Sequence, residues 1–85
     1  MPQFRDNKLL VGIALVLKEL RECRGVSQQD VYVETNVHIG RLENCKTNPS
    51  VSTIGVLMKY FGIKMSDFYE MVEQRAFIVP YDREN

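Results

Sequence analysis

The chain has no tryptophan, a single histidine and only two cysteines in 85 residues. His38 is its one imidazole, and no Ser/His/Asp or Cys/His set with a third orienting group is evident, so an enzyme is not expected. Cys23 and Cys45 lack the C-x-x-C spacing of a metal site, even with His38 added, so neither a metal nor a cofactor is expected. Both thiols read as reduced. No glycine-rich phosphate loop is present, and no small-molecule substrate is evident. No apolar run reaches the ~20 residues of a membrane span. The opening Met1-Pro2-Gln3-Phe4-Arg5-Asp6 is not followed by a long apolar region with a small-residue cleavage site. A cytoplasmic chain with no membrane partner is the expectation. Charge of one sign is also missing, with 11 Lys and Arg against 11 Asp and Glu. Phosphate contacts draw on local Lys and Arg, so any basic face has to be created by folding. The first half carries an excess of one positive charge and the second half of one negative, which makes no basic face by itself.

What is present is one small folded domain. The 45% hydrophobic content excludes wholesale disorder. A chain of this length buries a modest core and commonly gains stability by dimerising. Leu10, Ile13, Leu17 and Leu20 recur at helical spacing, Asp6 or Asn7 can cap the start, and Gly25 can stop the end. Helix 1 is therefore expected over residues 7–24. Val11, Leu15 and Val16 widen its apolar surface, either against the N-terminal arm through Phe4 or as a subunit interface. Ser27 is an N-cap with Asp30 three residues on, and helix 2 runs to about Glu34 with Val31 inward. Thr35-Asn36-Val37 is a turn, with Asn36 best suited to a left-handed conformation. Helix 3 is short, His38 to Asn44, anchored by Ile39 and Leu42, and residues 45–49 form a loop. Ser50 caps helix 4, which turns Ile54, Leu57, Met58 and Phe61 inward and ends at Gly62. Gly55 within it either admits a close backbone or is a tolerated defect costing about 1 kcal/mol. Ser66 caps helix 5, with Phe68, Tyr69 and Val72 packing back. Ala76-Phe77-Ile78-Val79 reads as extended, either a strand across a dimer or a tail on the core.

Between Ser27 and Glu43 there is room only for two short helices and a tight bend. That is the unit with which small proteins place one helix in the DNA major groove. Leu17-x-x-Leu20-Arg21-x-x-x-Gly25-x-Ser27-Gln28, Ile39-x-Arg41-Leu42-Glu43, Asn48-Pro49-Ser50 and Phe61-Gly62-Ile63-x-Met65-Ser66-Asp67-Phe68 resemble the phage-repressor and Cro-type, XRE-like helix-turn-helix family. The match spans roughly residues 10–72, and the ordered set is more specific than any one piece. The resemblance implies an all-α fold: a five-helix lambda-repressor-like DNA-binding domain with the helix-turn-helix at helices 2 and 3. Residues 1–75 would form that domain and 76–85 a C-terminal tail. It implies a DNA-contact set of Gln28, Gln29, Thr35, Asn36, His38, Arg41, Lys46, Thr47 and Asn48, with Arg21 and Glu43 as a structural ion pair between helices 1 and 3. Gln28 matches the position that meets a phosphate at the start of helix 2, against the plainer reading of a solvated first-turn residue. Lys46, Thr47 and Asn48 match a phosphate-touching loop, or are an ordinary polar loop. His38 either reaches a base edge or phosphate, or caps and packs. Arg41 reaches phosphate or guanine, or pairs with Glu43 or Glu34.

The chain also departs from the family pattern. Roughly three residues that begin the recognition helix and reach base edges are missing before Ile39. Tyr32 stands where the family has a small Ala, and a shortened helix 3 leaves the space that this ring fills. Cys45 replaces the Gly usual after helix 3, so Asn44 or Asn36 is expected to carry any left-handed geometry. The wording Thr35-Asn36-Val37-His38-Ile39-Gly40-Arg41 is itself similar to shortened variants among bacterial regulators of this family. The reading is a transcriptional regulator that binds double-stranded DNA as a homodimer, with helix 5 and Phe77–Val79 as the dimer contact. The rival is a protein-interaction module on the same fold that has lost operator reading.

Overall fold

The computed structural model describes residues 6–77, and among these the chain forms five α-helices and no strand. α1 spans Asn7–Arg24, α2 Gln28–Thr35, α3 Ile39–Glu43, α4 Val51–Phe61 and α5 Met65–Ala76. The described helices include none long and apolar enough to cross a membrane.

Local chemistry explains most of the boundaries. Asp6 accepts a hydrogen bond from the Leu9 amide at 3.0 Å, satisfying an amide that has no partner within the helix. Gly25 closes α1 in the left-handed region, at φ 74°, where a Cβ would be strained. Ser27 and Asp30 form a reciprocal capping box at the start of α2. The hydrogen bonds from the Ser27 backbone and side chain lower the Asp30 carboxyl below its ordinary value. Asn36 ends α2 in the left-handed conformation, at φ 63°. Ser50 accepts from the Thr53 amide at the start of α4.

Five details differ from the expectations. Ser66 is not a cap: α5 begins two residues earlier, with Lys64 as an N-cap that makes no side-chain bond. The Lys64 carbonyl accepts from the Phe68 amide at 3.0 Å, and the earlier start brings Met65 against the core beside Phe68 and Val72. Cys45 itself is left-handed, at φ 58°, while Asn44 is not. The closing bond from the Lys46 amide to the Arg41 carbonyl requires that conformation after α3, and the Cys45 Sγ lies 3.7 Å from the Leu10 carbonyl of α1. Val16 belongs to the core rather than to an outer face, leaving Val11 and Leu15 exposed on α1. Tyr69 is largely exposed, its ring edge against Phe68 rather than packed inward. Ala76 is helical, not extended, and Phe77 caps α5. The expected roles of Phe4, Ile78 and Val79 lie outside the described residues. At Gly55 a Cβ would meet nothing within 4 Å, so no close backbone explains it.

The core joins Val16 and Leu17 of α1, Val31 of α2, Ile39 and Leu42 of α3, Ile54, Leu57, Met58 and Phe61 of α4, and Phe68 and Val72 of α5. At about 25 cal/mol per Å² of apolar surface removed from water, such burial is the main force holding short helices in place. α1 is the spine, packed along α5 and against α3. With only two turns in α2 and about one in α3, neither would persist alone. α3 packs against α1, and α2 against α3 and α4, with Val31, Ile39 and Leu42 buried in the core, and this fixes the outer face that the two short helices share.

Candidate nucleic-acid interface

That face is organised from beneath by Glu43. The Arg21 guanidinium on α1 meets its carboxylate side-on, with Nε to Oε2 at 2.8 Å and Nη2 to Oε1 at 3.0 Å. Arg21 Nη1 also donates to the Val26 carbonyl at 3.1 Å. The side chains are 14% and 5% exposed, so the pair is largely removed from water. Its hydrogen bonds to Glu43 raise the Arg21 pKa further and keep the guanidinium charged. Gln28, at the start of α2, joins the pair by donating from Nε2 to Glu43 Oε1 at 3.0 Å. A Cβ on Gly40 would come within 2.8 Å of the Gln28 Oε1, so the bare glycine makes room for this crossing side chain. The amide nitrogen has two N–H donors and this bond uses one.

Two open grooves lie on the surface above. The first, about 380 Å³, is lined by Gln28, Gln29, Tyr32, His38, Ile39, Gly40, Arg41, Asn44 and Lys46. The second, about 310 Å³, is lined by Asn36, Val37, His38, Arg41, Leu42, Thr47, Asn48, Pro49, Ser50 and Thr53. His38 and Arg41 line both and form the ridge between them. Eight of the nine residues singled out from the sequence therefore fall on one continuous surface. Thr35 does not join them. Its hydroxyl donates to the Val31 carbonyl at 2.7 Å and accepts from the Val37 amide at 3.1 Å, which fastens the end of α2 to the turn.

The electrostatics follow from this arrangement. The lining of either groove includes no carboxylate, while Arg41 and Lys46 supply cations. Glu43 is committed to Arg21, and Asp30 to the cap of α2. Among the described residues Arg41 makes no ion pair, so the alternative partners Glu43 and Glu34 do not hold it. A chain with no net charge thus presents a locally cationic face.

Tyr32 was legible as a space-filler but not as part of the site. It lies one helical turn after Gln28 on α2, and its ring stacks on His38 with centroids 4.3 Å apart and planes inclined by 24°. The helical spacing of Gln28 and Tyr32 was the available signal. Asn44, Ser50 and Thr53 also line the grooves, and nothing in their local sequence distinguishes them from ordinary capping residues. In comparisons with known proteins, no family model, no curated protein and no solved structure matches the chain.

Proposed function

We propose that the chain is a sequence-specific, double-stranded-DNA-binding transcriptional regulator of the lambda-repressor-like type, with α2, the Asn36–His38 turn and α3 as its helix-turn-helix. The observation that carries this reading is the acid-free double groove with Arg41 and Lys46 on its walls, formed by a chain whose charges otherwise cancel. Lys46 and the remaining N–H of Gln28 serve phosphates, while Asn36, Thr47 and Asn48 offer polar contacts along the second groove. His38 and Arg41 on the ridge face the bases. Two copies related by a twofold would place their ridges about 34 Å apart, one turn of DNA. α5 with the exposed Phe77 is the proposed contact between copies.

The five-residue α3 favours a second reading, in which the same face docks a protein and reads no operator. One titration separates the two. The protein is titrated by fluorescence anisotropy against duplex DNA from upstream of its own gene and against a scrambled duplex, at two salt concentrations. Tighter binding to the first duplex, weakening with salt, is the expected result. Equal binding to both would leave phosphate contact without readout, and no binding at low salt would move the assignment to a protein partner. Lys46→Ala should reduce the slope of log affinity against log salt by about 1. An unchanged slope would remove Lys46 from the phosphate contacts.

A further inference from the structure

We infer that His38 is the base-reading side chain and that Tyr32 is its positioning residue, the stacked pair substituting for the helical turn that α3 lacks. This deepens the DNA reading above and rests on it.

α3 begins only at Ile39, which is fully buried, so it has no leading turn of exposed side chains to offer. The residue in front of it, His38, is exposed and forms the ridge with Arg41. Its ring makes no hydrogen bond to another described residue and gives α3 no side-chain cap, so it has no structural duty through its nitrogens. What holds the ring is the face of Tyr32, which is half-buried on α2 and therefore backed by the fold. A stack covers one face of an imidazole and leaves its edge open. That edge presents a ring N–H that can donate to N7 or O6 of guanine or to N7 of adenine in the major groove, one bond per imidazole because its two nitrogens point apart. Because the ring is ordered before DNA arrives, less side-chain freedom is lost on binding. Arg41, three residues on, supplies the second contact of the ridge. The partner chemistry is thus a purine edge, read by an imidazole whose orientation is set from the neighbouring helix.

The test begins by letting the wild-type protein select its preferred duplex from a pool of randomised duplexes. Discrimination is then the ratio of the Kd for a scrambled duplex to the Kd for the selected one. His38→Ala should lower that ratio by roughly tenfold. Tyr32→Ala should do the same with its salt slope unchanged, and Tyr32→Phe, which keeps the ring, should restore the ratio. The double variant should discriminate no worse than His38→Ala alone, since Tyr32 acts through His38. Thermal melting monitors folding, and Tyr32→Leu, which keeps bulk without a ring face, replaces Tyr32→Ala if the latter does not fold. Full discrimination in the ring-less variant, or losses that multiply in the double variant, would overturn the positioning role. Full discrimination in His38→Ala would overturn the reader. If the wild type selects no duplex, the DNA reading falls and the reader with it.

Discussion

The two sides of α1 carry the same two devices in different settings. Toward α5, the Arg75 guanidinium grips Glu19 through Nε at 2.9 Å and Nη2 at 2.7 Å. Toward α3, Arg21 grips Glu43 with nearly the same geometry. The first pair is 41% and 48% exposed, the second 14% and 5%. Each side also has a crowded glycine. A Cβ at Gly12 would lie 2.8 Å from the Val72 backbone carbonyl, and one at Gly40 would lie 2.8 Å from the end of the Gln28 side chain. Equal distances therefore do not mean equal consequences. A buried charge that loses its partner remains stranded, whereas an exposed one returns to water. A backbone carbonyl within a helix cannot step aside, while a flexible amide can.

The sharpest break in this comparison is Glu43→Ala. It strands the Arg21 charge and takes away the Gln28 acceptor, and should cost about 3 kcal/mol in urea unfolding. A loss no larger than that of the exposed pair would mean that burial does not govern these two bridges. Next comes Gly12→Ala, which has to separate α1 from α5 and should cost about 2 kcal/mol by the same measurement. Gly40→Ala should change stability by less than about 1 kcal/mol, because helix propensity gained in α3 offsets the displaced Gln28. If it proves as damaging as Gly12→Ala, the Gln28 side chain is more rigidly held than its position implies. Arg75→Ala should have the smallest effect, within the scatter of a denaturation curve, since both partners are solvated. It has a pH signature all the same. The hydrogen bond to Arg75 lowers the Glu19 carboxyl below its ordinary 4.5. The pair's contribution is therefore present above pH 4.5 and is lost as the pH falls through the lowered value. Removing Arg75 should return the Glu19 titration, followed by NMR, toward its ordinary value, and an unmoved Glu19 titration would mean that the pair does not persist in solution.

Much of the architecture was readable because caps and stops are local. Asp6, Ser27, Ser50, Gly25 and Gly62 act on amides and carbonyls within a few residues of themselves, so α1, α2 and α4 fall close to where their sequences place them. The misreadings have non-local causes. Ser66 has cap chemistry, yet packing of Met65 moved the start of α5 upstream. Cys45 has no preference for a left-handed backbone, yet the closure of α3 against α1 places it there. Val16 and Tyr69 were assigned by spacing to the wrong side of the core boundary, because spacing gives a face and not its depth. Within the candidate site, eight of the nine residues singled out line the grooves, while Tyr32, Asn44, Ser50 and Thr53 were missed because their places there depend on where elements meet. Thr35 was the exception, since its hydroxyl bonds belong to the turn.

The sequence by itself determined the helices of the described residues, their order and the shortness of α3. Those properties depend on hydrogen bonding and apolar periodicity over a few residues. Only the tertiary structure decided that a neutral chain presents a cationic face. Glu43 had to be brought to Arg21, distant in sequence, before Arg41 and Lys46 stood without an acidic neighbour in their grooves. Only it decided that Tyr32 rests on His38, because a ring stack depends on where two elements meet and not on what either is made of.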